Sequence, residues 1–319
     1  MTAIGVISNA RSTRNVASMQ GVHEVLAAHP EIPHHIFHKI SDLRGGLHDL
    51  AARGVNHIVI SGGDGTVQAG INELLQARPF NTLPAVSIIA GGMTNVVARD
   101  VGLSGKPAPA LKRLIERVKS GDRGELIERR VISLSVDGGN SRTYGFVAGA
   151  VGFYQGTMLS RHCAHRIGLR QMLAANVTIA QSLWRLVRYG PGPRSGFTEE
   201  RAVMSFDGAE SERRDVILLL FTTLQELTPG IKPFWGDQSK GIKYTIVDHP
   251  PKRFIRAVYP ALRGRNLPWM EQAGYHSGSF DQLHLHLRSP IVMDGELFKP
   301  GEHGGLNLSV GPAIPFHRF

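Results

Sequence analysis

Ile58-Val59-Ile60-Ser61-Gly62-Gly63-Asp64-Gly65-Thr66 is the stretch that decides how the N-terminal part of this chain is read. Ile58, Val59 and Ile60 close an apolar run, the pattern of a strand buried on both faces of a parallel sheet. Gly62, Gly63 and Gly65 follow, and glycines carry no Cβ to block a ligand's approach. Asp64 sets one carboxylate among the backbone N–H groups of that turn. Residues 67–77 then have helical spacing, so a helix N-terminus faces the same turn. Its open N–H groups and dipole make such an end a phosphate site. A plain strand-to-helix turn would share the outline. The full Gly-Gly-Asp-Gly-Thr run between strand and helix is much more specific than a glycine pair.

Working outward, residues 3–8, 33–37, 57–61 and 85–89 read as strands, and 16–28, 47–53, 67–77 and 108–120 as helices. Alternation at this spacing predicts a parallel sheet with helices on both faces, whose ligands bind beyond the C-terminal ends of the strands. Three loops leave such ends, at 9–15, 61–66 and 90–95, and all are rich in Gly, Ser, Thr or Asn. The third, Ala90-Gly91-Gly92-Met93-Thr94-Asn95, again runs from a strand into a helix start. Thr94 or Asn95 as a helix cap explains it structurally, and a second wall of a nucleotide cleft explains it functionally.

The pattern changes near Gly121, with a domain boundary at 121–128. Short strand candidates follow at 130–136, 143–148, 201–206, 216–222, 243–247, 282–287, 291–294 and 306–310. Leu283, Leu285 and Leu287 alternate with His284 and His286, which predicts antiparallel strands with one solvated face and a β-sandwich. Residues 160–189 break this pattern as a basic helical stretch carrying Trp184. It reads as a helix packed on the sandwich with a solvated face, or as one lying on an acidic membrane. Met293-Asp294-Gly295-Glu296 follows a strand, and Asp-Gly is a strong turn signal. Its functional reading is a general base beside a metal-linked carboxylate.

Composition bounds the rest. At 319 residues the chain is long enough for two cores, and with 42% hydrophobic and 19% charged residues it is globular. Cys163 is the single cysteine, which excludes an intrachain disulfide and fits a reducing compartment. Residues 1–10 read as a strand rather than a targeting leader. The longest purely apolar run, 216–221, is far short of the roughly 20 residues of a membrane helix. A net charge of +10 calls for an anionic partner: nucleotide, nucleic acid or acidic membrane. The basic residues are scattered, without a stacking motif or helix-turn-helix signal, so nucleic acid is not expected. His162 and His165 flank Cys163 without a second pair to complete a metal site. His34, His35 and His38 read as surface residues.

Taken in order, these segments resemble the diacylglycerol kinase catalytic-domain superfamily, which includes bacterial lipid kinases and sphingosine kinases. Asn9-Ala10-Arg11-Ser12 stands where the family has Asn-Pro-x-Ser after its first strand. Gly62 to Thr66 matches its Gly-Gly-Asp-Gly-Thr loop, Pro84 through Arg99 its second nucleotide segment, and Asp294-Gly295-Glu296 its late Asp-Gly-Glu. The resemblance implies an N-terminal ATP-binding α/β domain of the NAD kinase and phosphofructokinase type over 1–124. It also implies a lipid-binding β-sandwich domain over 125–310, a return of 311–319 to the first domain, and ATP bound in the cleft between the domains. Asn9, Ser12, Gly62, Gly63, Asp64, Gly65, Thr66, Gly91, Gly92, Thr94 and Asn95 would contact the nucleotide. Asp64 would sit near Mg²⁺ and the phosphates, with Asp294 as base on the lipid hydroxyl and Glu296 beside it. Two departures stand out: Ala69 and Val96 occupy positions that are usually acidic in the family.

The resulting expectation is an ATP- and Mg²⁺-dependent lipid kinase acting on a diacylglycerol-like or sphingoid lipid. It would be cytoplasmic, in peripheral contact with an anionic membrane, and able to form a homodimer through its edge strands. Loss of Asp64 or Asp294 is expected to abolish turnover without unfolding the chain. A non-catalytic nucleotide- or lipid-binding protein and an NAD kinase are the alternatives.

Overall fold

The computed structural model describes residues 3–11, 13–92, 95–103, 105–122, 124–167, 188, 197–228 and 230–318, with backbone alone at 13–19 and 160–167. The chain divides into two compact units, Met1–Arg129 with Pro312–Phe319, and Arg130–Gly311.

In the first unit, strands β1 (Ile4–Asn9), β2 (His34–Phe37), β3 (His57–Gly62) and β4 (Ala85–Ala90) lie in the order β4-β3-β1-β2. Every pair is parallel. Helices α1 (Thr13–Ala27), α2 (Leu43–Ala52), α3 (Asp64–Gln76), α4 (Val96–Val101) and α5 (Pro107–Lys119) connect and follow them. The alternation of strand residues explains the layering. Ile4, Val6, Val59 and Ile89 pack with Val22 and Leu26 of α1 and with Leu111, Leu114 and Ile115 of α5. The intervening residues meet α2 and α3: a Cβ on Gly5 would lie 2.8 Å from Leu50, and one on Gly70 3.0 Å from Ile60. Each large apolar side chain so buried contributes roughly 1.5–3 kcal/mol.

The carboxyl end of the chain closes this sheet, with Phe316 pairing parallel to Val86. Beneath that pairing, the Ser87 hydroxyl donates to the His317 carbonyl at 2.9 Å. Nε2 of His57 is 2.9 Å from the same hydroxyl oxygen. With the hydroxyl proton committed to His317, the imidazole must donate, and it is held neutral. Burial, aided by the neighbouring His317, pushes the His57 pKa down to about 3. Two of the histidines expected at the surface are partly enclosed. His34 meets Ser8 at 2.9 Å, with burial pushing its pKa to about 4, and His35 pairs with Asp49 at 2.8 Å.

The second unit is antiparallel. Its strands are β5 (Glu125–Val136), β6 (Thr143–Gly145), β7 (Val147–Val151), β8 (Glu200–Phe206), β9 (Glu212–Thr222), β10 (Ile242–Asp248), β11 (Tyr275–Phe280), β12 (Gln282–His286), β13 (Ile291–Met293), β14 (Glu296–Phe298) and β15 (Gly305–Arg318). The first residues of β5 and the last of β15 belong to the first unit. Strand β9 is the hub, paired along one part with β8, along another with β7, and also with β10. The strands form one hydrogen-bonded network, and their inward residues, among them Leu219, Phe221, Phe280, Leu285 and Leu308, share one core. Leu283 and Leu285 of β12 are buried while His284 and His286 are exposed, as the alternation predicts.

Helix α6 runs over Gly152–Ile167, so it begins eight residues before the helical stretch read from position 160. Trp184 and most of the rest of that stretch lie outside the described residues. Helix α7 (Phe254–Leu262) and strands β11 and β14 have no counterpart in the sequence reading.

Candidate functional site

Strand order 4-3-1-2 reverses direction between β1 and β3, and ligands of open parallel sheets bind at such a switch point, beyond the strand carboxyl ends. Asn9 ends β1 and Gly62 ends β3. The Asn9 amide nitrogen donates to Thr66 Oγ1 at 2.8 Å, and its carbonyl oxygen accepts the Arg11 N–H at 2.9 Å. The loop after β4 joins them, with the Gly91 N–H donating to the Gly62 carbonyl at 2.8 Å. All three loops therefore meet at one edge of the sheet. Ser12 and Thr94 lie outside the described residues.

Helix α3 starts at Asp64, three residues before the expected position. Gly63 caps it in an extended conformation, and the Thr66 and Val67 N–H groups turn back to the Gly63 carbonyl. Asp64 thus stands in the first helical turn, where a negative charge is favoured. Its Oδ1 accepts the N–H of Val97 in α4 at 3.2 Å. Asn95 holds the cap position of α4 but does not cap it. Its side chain closes a ring with Gly92, accepting the Gly92 N–H at 2.8 Å and donating to the Gly92 carbonyl at 2.7 Å. The carboxylate of Asp64 serves α4 in its place. Asn95 has φ 49°, a conformation that Asn tolerates better than most residues.

The glycines divide by purpose. A Cβ on Gly62 would lie 2.5 Å from the Thr66 side chain, and one on Gly92 2.5 Å from the Gly63 backbone. At both positions close packing by the protein itself accounts for glycine. Gly65 is different: it is exposed, its φ is ordinary, and a Cβ there would meet nothing within 4 Å. Neither packing nor backbone conformation requires glycine at that position.

In the second unit, Asp294 and Gly295 form the two-residue turn between β13 and β14, with φ 47° and 94°. Positive φ at both positions is the hairpin geometry that favours Asp-Gly. The Asp294 carboxylate is bound into the fold: Oδ2 accepts the Phe146 N–H and Oδ1 the Val147 N–H, each at 2.8 Å. Gly145 leaves room for it, since a Cβ there would lie 2.8 Å from Oδ2. Removing this carboxylate would take the acceptor from both N–H groups, a cost to stability that adds to any loss of turnover. Glu296, the first residue of β14, is exposed.

Comparison with known proteins finds one family match, and it falls on the first unit. Residues 3–125 match the diacylglycerol kinase catalytic domain. The fold of the whole chain is similar to that of a diacylglycerol kinase from Bacillus anthracis. That match has a TM-score of 0.63 at 14% identity, covering 98% of this chain and 96% of the other. A second structure from the same bacterium, also named for this kinase, gives a TM-score of 0.65 at 16% identity, covering 96% and 93%. No curated protein matches the sequence.

A kinase-like family implies use of a nucleotide. Against the diacylglycerol kinase pattern, Ala69 and Val96 leave Asp64 as the single carboxylate of the three loops. The acid on the next turn of α3 does not replace the missing ones, because Glu73 pairs with Arg44 of α2 at 2.8 Å. Asn72 donates to the Gln68 carbonyl at 2.8 Å. No group of three or more His, Cys, Asp or Glu suited to a metal occurs among the described residues. One carboxylate fits Mg²⁺ that arrives on nucleotide phosphates and keeps most of its water, rather than a cage built by the protein.

Proposed function

We propose that this protein is an ATP-dependent lipid kinase that transfers the γ-phosphoryl group to a hydroxyl of a diacylglycerol-like or sphingoid lipid. Gly65 carries the reading. An exposed residue in the first turn of α3 lacks a side chain that the fold has room for, at the helix end suited to phosphate. Backbone N–H groups of the β3–α3 turn hold the phosphates, and Gly65 lets them approach. Asp64 would hold Mg²⁺ carried on those phosphates, and the ion would supply charge neutralisation for phosphoryl transfer. The lipid hydroxyl oxygen bonds to the γ-phosphorus, the bond to the bridging oxygen breaks, and ADP leaves. The hydroxyl proton is assigned to the Asp294 carboxylate, with Glu296 beside it.

The test is label transfer from γ-labelled ATP with Mg²⁺ to a panel of micellar lipids, run alongside Asp64→Asn. Label on one lipid class, lost in a variant that still melts cooperatively, supports the reading. Bound ATP with no labelled lipid points to a non-catalytic binding protein. Label on NAD alone points to a nucleotide kinase.

A further inference from the structure

Helix α7 leaves two large apolar side chains in water. Ile255 is 69% exposed and Tyr259 58%, one helical turn apart. The opposite side of the helix is anchored: Ala257 is fully buried against Ile217, Trp235, Met270 and Tyr275, with Phe254 and Ala261 beside it. The outer face continues with cations. Lys252, Arg256 and Arg263 fall at helical spacing with Ile255 and Tyr259, and Arg253 and Arg265 flank them, all exposed. No Asp or Glu occurs between His249 and Met270. Among the described residues, none of the five cations has an ion-pair partner. Of the nearby acids, Asp248 is engaged by Arg214 and His276, and Glu226 by Lys232. Arg263 and Arg265 lie over the Tyr259 ring at 5.9 and 5.6 Å, and Arg253 over Trp269 at 5.6 Å. Ile231, also exposed, adjoins the helix end, where the Lys232 N–H donates to the Leu262 carbonyl.

We propose that the outer face of α7 docks the protein on an anionic phospholipid bilayer. Nine residues are too few to span a membrane, so the helix lies in the plane of the interface. Ile255 and Tyr259 enter the acyl boundary, and the five cations reach headgroup phosphates on long stems. Charge complementarity alone would also suit a nucleic acid. The exposed Ile255 between the cations favours lipid, because a phosphate backbone offers it nothing to pack against. The function of this surface, bringing the enzyme to its substrate, rests on the lipid-kinase reading. The binding itself does not.

The experiment is flotation of the full chain, without nucleotide, on phosphatidylcholine vesicles with and without phosphatidylglycerol. The expected result is binding only to the anionic vesicles, weakened by salt. Ile255→Asp and the pair Arg256→Glu with Arg263→Glu should each lower partitioning at least about tenfold. Both variants should keep the wild-type melting temperature and undiminished activity on a dispersed short-chain lipid. Equal flotation of wild type and variants overturns the proposal, as does no flotation at all. Equally tight binding of both wild type and Ile255→Asp to polyuridylate would make this a nucleic-acid surface instead. Kinase failure is separable, since it would show as absent label on the short-chain lipid whatever the vesicles do.

Discussion

Four turns of this protein carry the dipeptide Asp-Gly, and two of them, Asp64-Gly65 and Asp294-Gly295, use it in opposite ways. At Asp64-Gly65 both residues have ordinary helical backbone, the glycine is bare toward solvent, and Oδ1 of the carboxylate accepts the Val97 N–H at 3.2 Å. At Asp294-Gly295 both residues have positive φ, and both carboxylate oxygens hold backbone amides at 2.8 Å. The first turn leaves open space beside its glycine. The second ties its carboxylate into the fold. Motif identity alone therefore does not rank two acids as functional residues; what each carboxylate already holds does.

Asp64→Asn should show the largest effect. It keeps size and a hydrogen-bond acceptor but removes the charge, so turnover should fall about a thousandfold, as for loss of one positioned electrostatic group. Stability should barely move, because the asparagine Oδ1 still accepts the Val97 N–H. A variant that keeps its turnover would erase the distinction between the two turns. Next comes Asp294→Ala, which strands two amides and puts Ala in a left-handed conformation. It should cost about 3–4 kcal/mol in a urea titration. An unchanged midpoint would return Asp294 to a purely chemical role.

Gly92→Ala follows, at about 2 kcal/mol, because the new Cβ would press on the Gly63 backbone and nothing flexible can yield. The paired measurement is Gly62→Ala, where the neighbour is the Thr66 side chain and the loss should be smaller.

Acid tests the first region from the other end of β3. His57 takes up its proton near 6.5 in the unfolded chain but only near 3 when folded. Its contribution is therefore complete above pH 6.5 and lost as pH falls from 6.5 toward 3. The slope is at most about 1.4 kcal/mol per pH unit. Denaturant midpoints at pH 7 and pH 5.5 check the sign, and a His57→Gln protein should lose that share of the slope.

What the sequence makes legible is local and periodic. The run through Ile58 to Ile60, the glycines after it and the Leu283–Leu285 alternation each declare their element within a few residues. What it hides depends on partners far along the chain. The cap of α4 comes from Asp64, 33 residues before Val97, while Asn95, the obvious cap, bonds to Gly92. Strand β11 has Ser and Gly residues that weaken its strand pattern, yet Gly278 is there to admit Tyr244, whose hydroxyl lies 3.1 Å from where its Cβ would be. Helix α7 is masked by the prolines before it and by Pro260 within it. Strand β15 continues past Gly311, a residue that lets Val131 approach to 2.7 Å of a Cβ position, so an apparent break is a packing contact.

Gly65→Ala should give the smallest change in stability and the sharpest division of the two turns. On physical grounds alone the substitution is harmless, since space is open and φ is ordinary. A helix-compatible Ala in place of Gly should stabilise the chain by about 0.5 kcal/mol through the unfolded state. If the turn evolved for close approach of phosphate, the same methyl group must hinder it. ATP affinity should fall about tenfold, or about 1.4 kcal/mol. A gain in stability together with a loss in binding cannot come from damage to the fold, because damage would lower both. A gain in both would mean that Gly65 has no ligand to admit, and the comparison with Gly295 would reduce to two ways of making a turn.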